Sequence, residues 1–414
     1  MRATDHKRPY DVIIIGAGAA GLLAAGFCGR GAPAVLLLEG KDKPGRKLLI
    51  TGGGRCNISH ATVDYRDFNC RHPRTVKHIL AAFSASKTMD FFQRIGVTTR
   101  ADAGGNLFPV TQSAATVLES LLRQLPKNVD LRTASKVREI HAEKKIFRIV
   151  CDQAHYFGRS VLLCPGGSSH PRTGSDGSGF ALAGALGHTI VPPTPALTPL
   201  LTDDADWKSL AGITLPCRLW LEDDAGRQLR AEGPLLFTHK GYSGPCALNI
   251  SRHWIHNRNR WVRVNFLPGE SAAAIKESIL QTAREHPRQT LKTWLAERLP
   301  GRLAQVLLEK SGLGNSPVLG QLAKHQRDAC ILQLLECPLP VSGAMGFGKA
   351  EVTAGGVDLA EVTPNTLESR IVPGLFFAGE VLDVDGPIGG YNLQWAWSSA
   401  FAAAQGTLRF LSRT

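Results

Sequence analysis

Between Leu48 and His60 the chain reads LLITGGGRCNISH, three consecutive glycines followed at once by a guanidinium, a thiol and an amide. Cys56 is the candidate acid of this group, because a thiol beside Arg55 and glycine N–H groups can exchange a proton near neutral pH. A small buried filler is the other role open to it. Arg55 offers a cation to a carbonyl or a phosphate, or an ion pair to its own loop, and Asn57 either contacts a ligand or caps a turn. A second set lies far along the chain, in GLFFAGEVLDVDGPIGGYNLQWAWSS, where Gly379 and Glu380 end an apolar run and Gly389, Gly390, Tyr391 and Asn392 open a helical one. Tyr391 is the second candidate proton donor. His239, with Tyr242 and Ser243 in LLFTHKGYSGP, is a candidate for a substrate-facing loop. Asp383 and Asp385 have no histidine or further ligand beside them, a poor cage for a cation, so no metal site is expected.

The elements that position these groups begin with Gly16-Ala17-Gly18-Ala19-Ala20-Gly21. It follows a strand-like apolar run at 10–15 and opens a helical run at 19–30. A second apolar run at 34–38 then ends on Glu39 and Gly40, giving the βαβ pattern of a dinucleotide site. The first glycine permits the tight turn, the second lets a pyrophosphate approach the backbone, and the third allows close packing of the helix. Unpaired N–H groups at the helix start favour an anion. Glu39 would accept hydrogen bonds from ribose hydroxyls and disfavours a 2′-phosphate. The fingerprint occurs once, so a separate domain for NADH or NADPH is not expected, and either would bind transiently as electron donor.

Beyond this unit, 75–95 and 113–125 have helical spacing, and 129–164 reads as a β-meander ending in VLLCPGG, where Gly166 and Gly167 terminate a strand. VPPTPALTPL, with four prolines in ten residues, marks a boundary. The reading is of an α/β chain, a Rossmann-like FAD-binding domain at 1–190 and 341–414. It carries an inserted β-barrel-like subdomain at 191–268 and an inserted helical subdomain at 269–340. FAD is preferred over NAD because of the late segment. A strand ending at Glu380 can offer a carboxylate to a ribityl chain, and a helix opening at Gly389–Asn392 can stabilise negative charge on a reduced flavin ring. A nicotinamide needs no second site so far along.

In GAGAAG, GRKLLITGGGRCN, LLCPGGSSHPRTGSDGSG, LLFTHKGYSGP, VTAGGV and AGEVLDVDGPIGGYNLQWAWSS, in that order, the chain resembles the BaiN-like (YhiN-like) family of FAD-dependent oxidoreductases over nearly its whole length. The resemblance implies that Val137 meets the adenine through its backbone, and that Arg46 and Lys47 lie near the phosphates or ribityl chain. Thr51, Gly52, Gly53 and Gly54 would pass along the isoalloxazine. The sequence departs from the family pattern at His170, Ser178 and Ala400. Members of the family reduce activated double bonds, either in enone rings of steroid or bile-acid type or in a uridine of large-subunit ribosomal RNA. Each has a C=C conjugated to a carbonyl, so hydride from flavin N5 goes to the β-carbon, a proton goes to the α-carbon, and a donor must hold the enolate.

Charge bears on the substrate. The 414 residues carry a formal net charge of +13, with a pI near 9.5, more than the two phosphates of one FAD ask for. SRHWIHNRNRWVR, from Ser251 to Arg263, interleaves Arg252, Arg258, Arg260 and Arg263 with Trp254 and Trp261 and has no acid. That pattern suits phosphates and unpaired bases, and equally a solvated hairpin whose tryptophans pack inward. RHPRTVKH, at 71–78, is a second basic run. The favoured reading is reduction of uridine to dihydrouridine in ribosomal RNA. A small-molecule enone reductase and a non-enzymatic, flavin-stabilised ribosome-assembly factor are the alternatives. Nine cysteines with no C-x-x-C pair fit reduced thiols in a cytoplasm. The basic, then apolar, start imitates a signal peptide until its glycines break the pattern, and no other apolar stretch approaches the ~18 residues of a membrane span.

Overall fold

A computed structural model describes residues 9–143, 146–258 and 260–413. The basic start up to Arg8, two lysines of the expected meander and Asn259 of the basic run lie outside the described residues. Among the described residues, no helix is long and apolar enough to cross a membrane.

The run YDVIII forms the central strand, Tyr10–Ile15, and Val12, Ile13 and Ile14 have no exposed surface. A strand apolar on both faces belongs in a parallel sheet covered on both sides. It pairs in parallel with Val35–Leu38, Val12 opposite Val35, and with His155–Leu163, Tyr10 opposite Gly158. The sheet runs Val129–Arg132, Val35–Leu38, Tyr10–Ile15, His155–Leu163, Ile146–Cys151, Val137–Glu143. The late strand Leu375–Phe377 joins His155–Leu163, also in parallel. The meander is therefore shorter than the sequence suggests. Val129–Arg132 is a parallel strand beside Val35–Leu38, and antiparallel pairing begins at Val137. The helical stretch expected at 75–95 is two helices, Pro73–Ala82 and Ala85–Arg94, because Ser84 accepts the Lys87 N–H and starts the second one.

Two helices from opposite ends of the chain cover one face. Ala19–Gly31 is rich in alanine and glycine, so the final helix, Tyr391–Leu411, approaches it closely, and the Phe27 and Phe401 rings meet edge to face at 5.1 Å. The final helix also holds the segment after the triple glycine: Trp397 donates to the Ile58 carbonyl at 2.9 Å and Ser59 donates to Gln394 at 2.6 Å, all buried. These residues, through Pro195 and again from Ala350, form one compact unit.

Ala196–Lys349 form the other. Its antiparallel sheet runs Cys337–Leu339, Val262–Asn265, Thr214–Glu222, Gln228–Thr238, Gly241–Ser243, Leu200–Leu201, Gly343–Ala344. The helix Gly244–His256 packs on the sheet. Trp207, Phe237, Tyr242 and Phe266 fill the interior, and Ile275, Ile279, Trp294 and Leu334 from the later helices join the same hydrophobic core.

Candidate active site

The first turn divides its three glycines by task. Gly16 has φ +99°, and a Cβ there would lie 2.3 Å from the Cys164 carbonyl oxygen; at Gly21 it would lie 1.8 Å from the Gly16 carbonyl oxygen. Both are committed to packing against protein. At Gly18 a Cβ would meet nothing within 4 Å. Gly18 is also the N-cap of Ala19–Gly31, with no side chain capping that helix. The N–H groups of the first turn, at Ala19 and Ala20, thus sit beside open space, as a pyrophosphate requires.

Glu39 stands at the end of the second strand, its carboxylate oxygens accepting the Ala17 N–H at 2.9 Å and the Lys41 N–H at 2.8 Å. Burial pushes its carboxyl above the ordinary range, only partly offset by these bonds. Two backbone bonds, Ser135 N–H to the Glu39 carbonyl and Ala134 N–H to the Lys41 carbonyl, bring residues about a hundred positions later against Glu39 and Gly40. Val137 opens its strand just beyond, buried, and Gly40 faces Lys136.

At the other end of the turn, Gly45 N–H donates to the Ala17 carbonyl, and the segment Arg46–Gly54 runs on from there. Lys47 pairs with Glu380 at 2.6 Å, both side chains about one-fifth exposed, and also bonds the Ser169 hydroxyl. Glu380 further accepts the Ser169 hydroxyl at 2.8 Å and the Thr353 N–H at 2.8 Å. Burial alone would raise the Glu380 carboxyl; Lys47 and these hydrogen bonds outweigh it and hold the group below the usual carboxylate range. Gly167 lines the same place, a Cβ there falling 2.5 Å from the Thr353 hydroxyl, while Gly166 packs against Ser175 and Gly379 lies against Ala20. Arg46 instead makes an exposed pair with Asp42 at 3.2 Å.

The triple glycine is not ordinary helix. Thr51 is extended, and Gly52, Gly53 and Gly54 have φ +58°, +68° and +85°. Three successive left-handed residues are within reach of glycine alone at low cost. No atom lies within 4 Å of a Cβ built on Gly53, and on Gly54 only the Leu49 carbonyl, at 3.8 Å.

Asn57 follows, its orientation set by a relay: Asn106 Nδ2 donates to both Asp102 oxygens, turning Asn106 Oδ1 to accept Asn57 Nδ2 at 3.1 Å. Asn57 Oδ1 is then a buried acceptor with no donor among the described residues, beside the Gly389–Gly390 turn that starts the final helix. The open glycine cradles and this unmet acceptor fit a bound dinucleotide cofactor. Tyr391 stacks on His60 with ring centroids 5.0 Å apart and meets Phe68 at 6.1 Å. The Asn392 side chain accepts the Gly386 N–H and donates to the Gly386 and Pro387 carbonyls, so it clamps the preceding loop.

Of the other candidates, Cys56 has no exposed surface; burial, which also pushes its thiol up to about 12, seals it away from a substrate. Alkylation by iodoacetamide at pH 8 should spare Cys56 while labelling Cys70, the one cysteine of nine that is not buried, as read by peptide mass spectrometry. Rapid labelling of Cys56 would restore it as an acid. Arg55 is exposed, lies over the Phe108 ring at 4.4 Å and donates to the Gly52 carbonyl. His239 occupies an exposed turn after Gln228–Thr238 in the other unit, and Tyr242 is wholly buried, donating to the Pro340 carbonyl at 3.1 Å. The basic run at 251–263 is not one exposed stripe. Trp254 is buried on the helix Gly244–His256, whereas Arg258, Arg260, Trp261 and Arg263 are exposed, Arg260 pairing with Asp224 at 3.0 Å and Arg263 approaching Glu336 at 4.0 Å. Among the described residues no group of three or more metal-binding side chains gathers.

Thr353 and Ser169, which hold Glu380 in place, and Asp102 and Asn106, which orient Asn57, were not singled out by sequence. The first two lie inside VTAGGV and GGSSHP, where the glycines draw attention away from the hydroxyls beside them.

A single dinucleotide turn completed by a segment from the far end of the chain, with an acid at each end, is the build of an FAD-dependent oxidoreductase, and that is the class of this protein. The match to the HI0933-like protein Rossmann domain extends over residues 10–406, and the chain belongs to that family. It is 36% identical to the ribosomal RNA dihydrouridine synthase of Escherichia coli K12 over 403 residues, 96% of this chain and 97% of that one. It is 35% identical to the 3-dehydro-bile acid delta(4,6)-reductase of Clostridium scindens over 401 residues, 95% of this chain and 97% of the other. Among solved structures, Sdh1 of Mycobacterium smegmatis shares the fold with a TM-score of 0.50 at 13% identity, covering 98% of this chain and 69% of its own.

Proposed function

We propose that the protein reduces a uridine of large-subunit ribosomal RNA to dihydrouridine. The relatives leave two substrate classes nearly level, and the observation that separates them is the net charge of +13. A steroid-like enone asks for an apolar pocket and gives no reason for such a surplus, whereas RNA does.

The residues divide the work along the site. The N–H groups at Gly18, Ala19 and Ala20 would hold the pyrophosphate of FAD, Glu39 the ribose hydroxyls, and the backbone at Val137 the adenine. Lys47 and Glu380 would flank the ribityl chain, Thr51–Gly54 the ring, and the uncapped start of the final helix the ring's negative edge. Bound FAD supplies a hydride to an electron-poor carbon, with NADH or NADPH as the expected source of its electrons. Tyr391 is the proton-bearing group we assign to the substrate carbonyl. His60 and Phe68 hold its ring in place, and burial, then the nearby Asp67 carboxylate, raises its phenol.

Deleting the gene should remove dihydrouridine from the large-subunit RNA, read by nucleoside mass spectrometry, and the wild-type gene should restore it. Unchanged dihydrouridine would sink this reading. Rapid reoxidation of the reduced protein by a small conjugated ketone alone would favour the enone reading that the Clostridium relative supports.

A further inference from the structure

The basic run at 71–78 belongs to a cationic surface beside Tyr391 that the site chemistry does not use. Asp64 and Asp67 cap the turn Tyr65–Asp67, and the chain then enters the site: Phe68 meets Tyr391, and Asn69 bonds Asp385 through both main chain and side chain. Pro73 starts the next helix, which buries Thr75, Val76, Ile79 and Leu80. Arg74, Lys77 and His78, spaced three and four apart, are left together on its outer face, with Arg71 at its start, all exposed. Arg66 and Lys77 converge over one Tyr65 ring, at 5.9 and 5.4 Å from its centroid.

From Asp64 to His78 there are four arginines and lysines against two aspartates; Asp64 caps the turn and also pairs with Arg66 at 2.7 Å, and Asp67 serves the turn. Arg71 and Arg74 have no carboxylate partner among the described residues. Unpaired guanidinium groups at helical spacing are matched to phosphates along a nucleic-acid backbone. The surface starts two residues before Phe68, so whatever docks on it is held next to the ring that touches Tyr391.

We propose that Arg66, Arg71, Arg74 and Lys77 form the docking surface for the phosphate backbone of the RNA substrate, holding the strand from which one base enters beside Tyr391. The inference rests on the RNA reading above and names the face that serves it.

The test uses the flavin-loaded full chain and large-subunit ribosomal RNA purified from the deletion strain. Arg71→Ala/Arg74→Ala/Lys77→Ala should bind that RNA at least tenfold more weakly at about 0.15 M salt. The slope of log affinity against log salt should fall by about 2 to 3, since each lost phosphate contact removes roughly 0.7–0.9. Dihydrouridine formation at limiting RNA should fall in step. Flavin content and the rate of flavin reduction should be unchanged, which separates this result from misfolding. Arg71→Lys/Arg74→Lys, which keeps the charge, should stay within a few-fold of the wild type, as should Arg258→Ala/Arg260→Ala/Arg263→Ala in the other unit. Wild-type affinity and slope in the first variant, or the loss appearing in the last one instead, would overturn the surface while the RNA reading stands. A wild-type protein that neither binds nor modifies this RNA would overturn both.

Discussion

Gly18→Asp should give a folded protein that has lost most of its flavin, and Gly21→Ala, three residues away, a strongly destabilised one. A Cβ at Gly18 meets no protein atom within 4 Å, so the substitution adds no internal clash. It puts a carboxylate where the N–H groups of the first helix await an anion, and like charge expels a pyrophosphate. Flavin bound per protein should fall by more than tenfold, while the melting temperature of the flavin-free protein matches that of flavin-stripped wild type. At Gly21 the added methyl would sit 1.8 Å from the Gly16 carbonyl oxygen, a backbone atom in the central turn of the sheet. Relief requires moving the first helix off the strand, at about 3 kcal/mol or more. Thermal melts with and without added FAD distinguish the two. A Gly18→Asp protein that retains its flavin would remove the dinucleotide turn from the site.

Lys47→Met and Glu380→Gln should each destabilise the protein by about 3 kcal/mol near pH 7, because each strands the other group in a place about four-fifths closed to water. The double variant should cost at least about 1 kcal/mol less than the two single effects added. The acid limb gives a second readout. Glu380 is held below its unfolded range, so its contribution is fully present above that range and is lost as the pH falls through the folded value. The stability gap between wild type and Glu380→Gln should therefore be widest near neutrality and narrow on acidification. A gap that does not change with pH would mean that the carboxylate is not held by Lys47.

The parts of this molecule that were legible in its sequence are those where chemistry is local. GAGAAG between an apolar strand and an alanine-rich helix specifies its turn within six residues, and TGGGRCN announces a left-handed backbone through residues that alone adopt it at low cost. Glu39 and Glu380 were likewise visible, each at the end of an apolar strand. Other properties depend on neighbours distant in sequence. Nothing in RCN tells that Cys56 is sealed in the core while Arg55 lies outside on Phe108, because the surfaces that decide it come from elsewhere in the chain. Trp254 reads as a stacking platform only until the helix that carries it turns the ring inward. Val129–Arg132 looked like the first strand of a meander because a four-residue run, VDLR, cannot state which edge it will join.

The late arrival of Leu375–Phe377 in the parallel sheet, with the final helix against the first, also sets an order of assembly. Strand Tyr10–Ile15 leaves the ribosome about 360 residues before Leu375–Phe377, and until then the sheet lacks that parallel strand and one covering helix. Ala196–Lys349, contiguous and with its own core, can condense during that wait. The nucleotide-binding unit, completed by contacts of long sequence separation, should therefore fold slowly, and its apolar strands are the stretch of the nascent chain where a chaperone is expected to act.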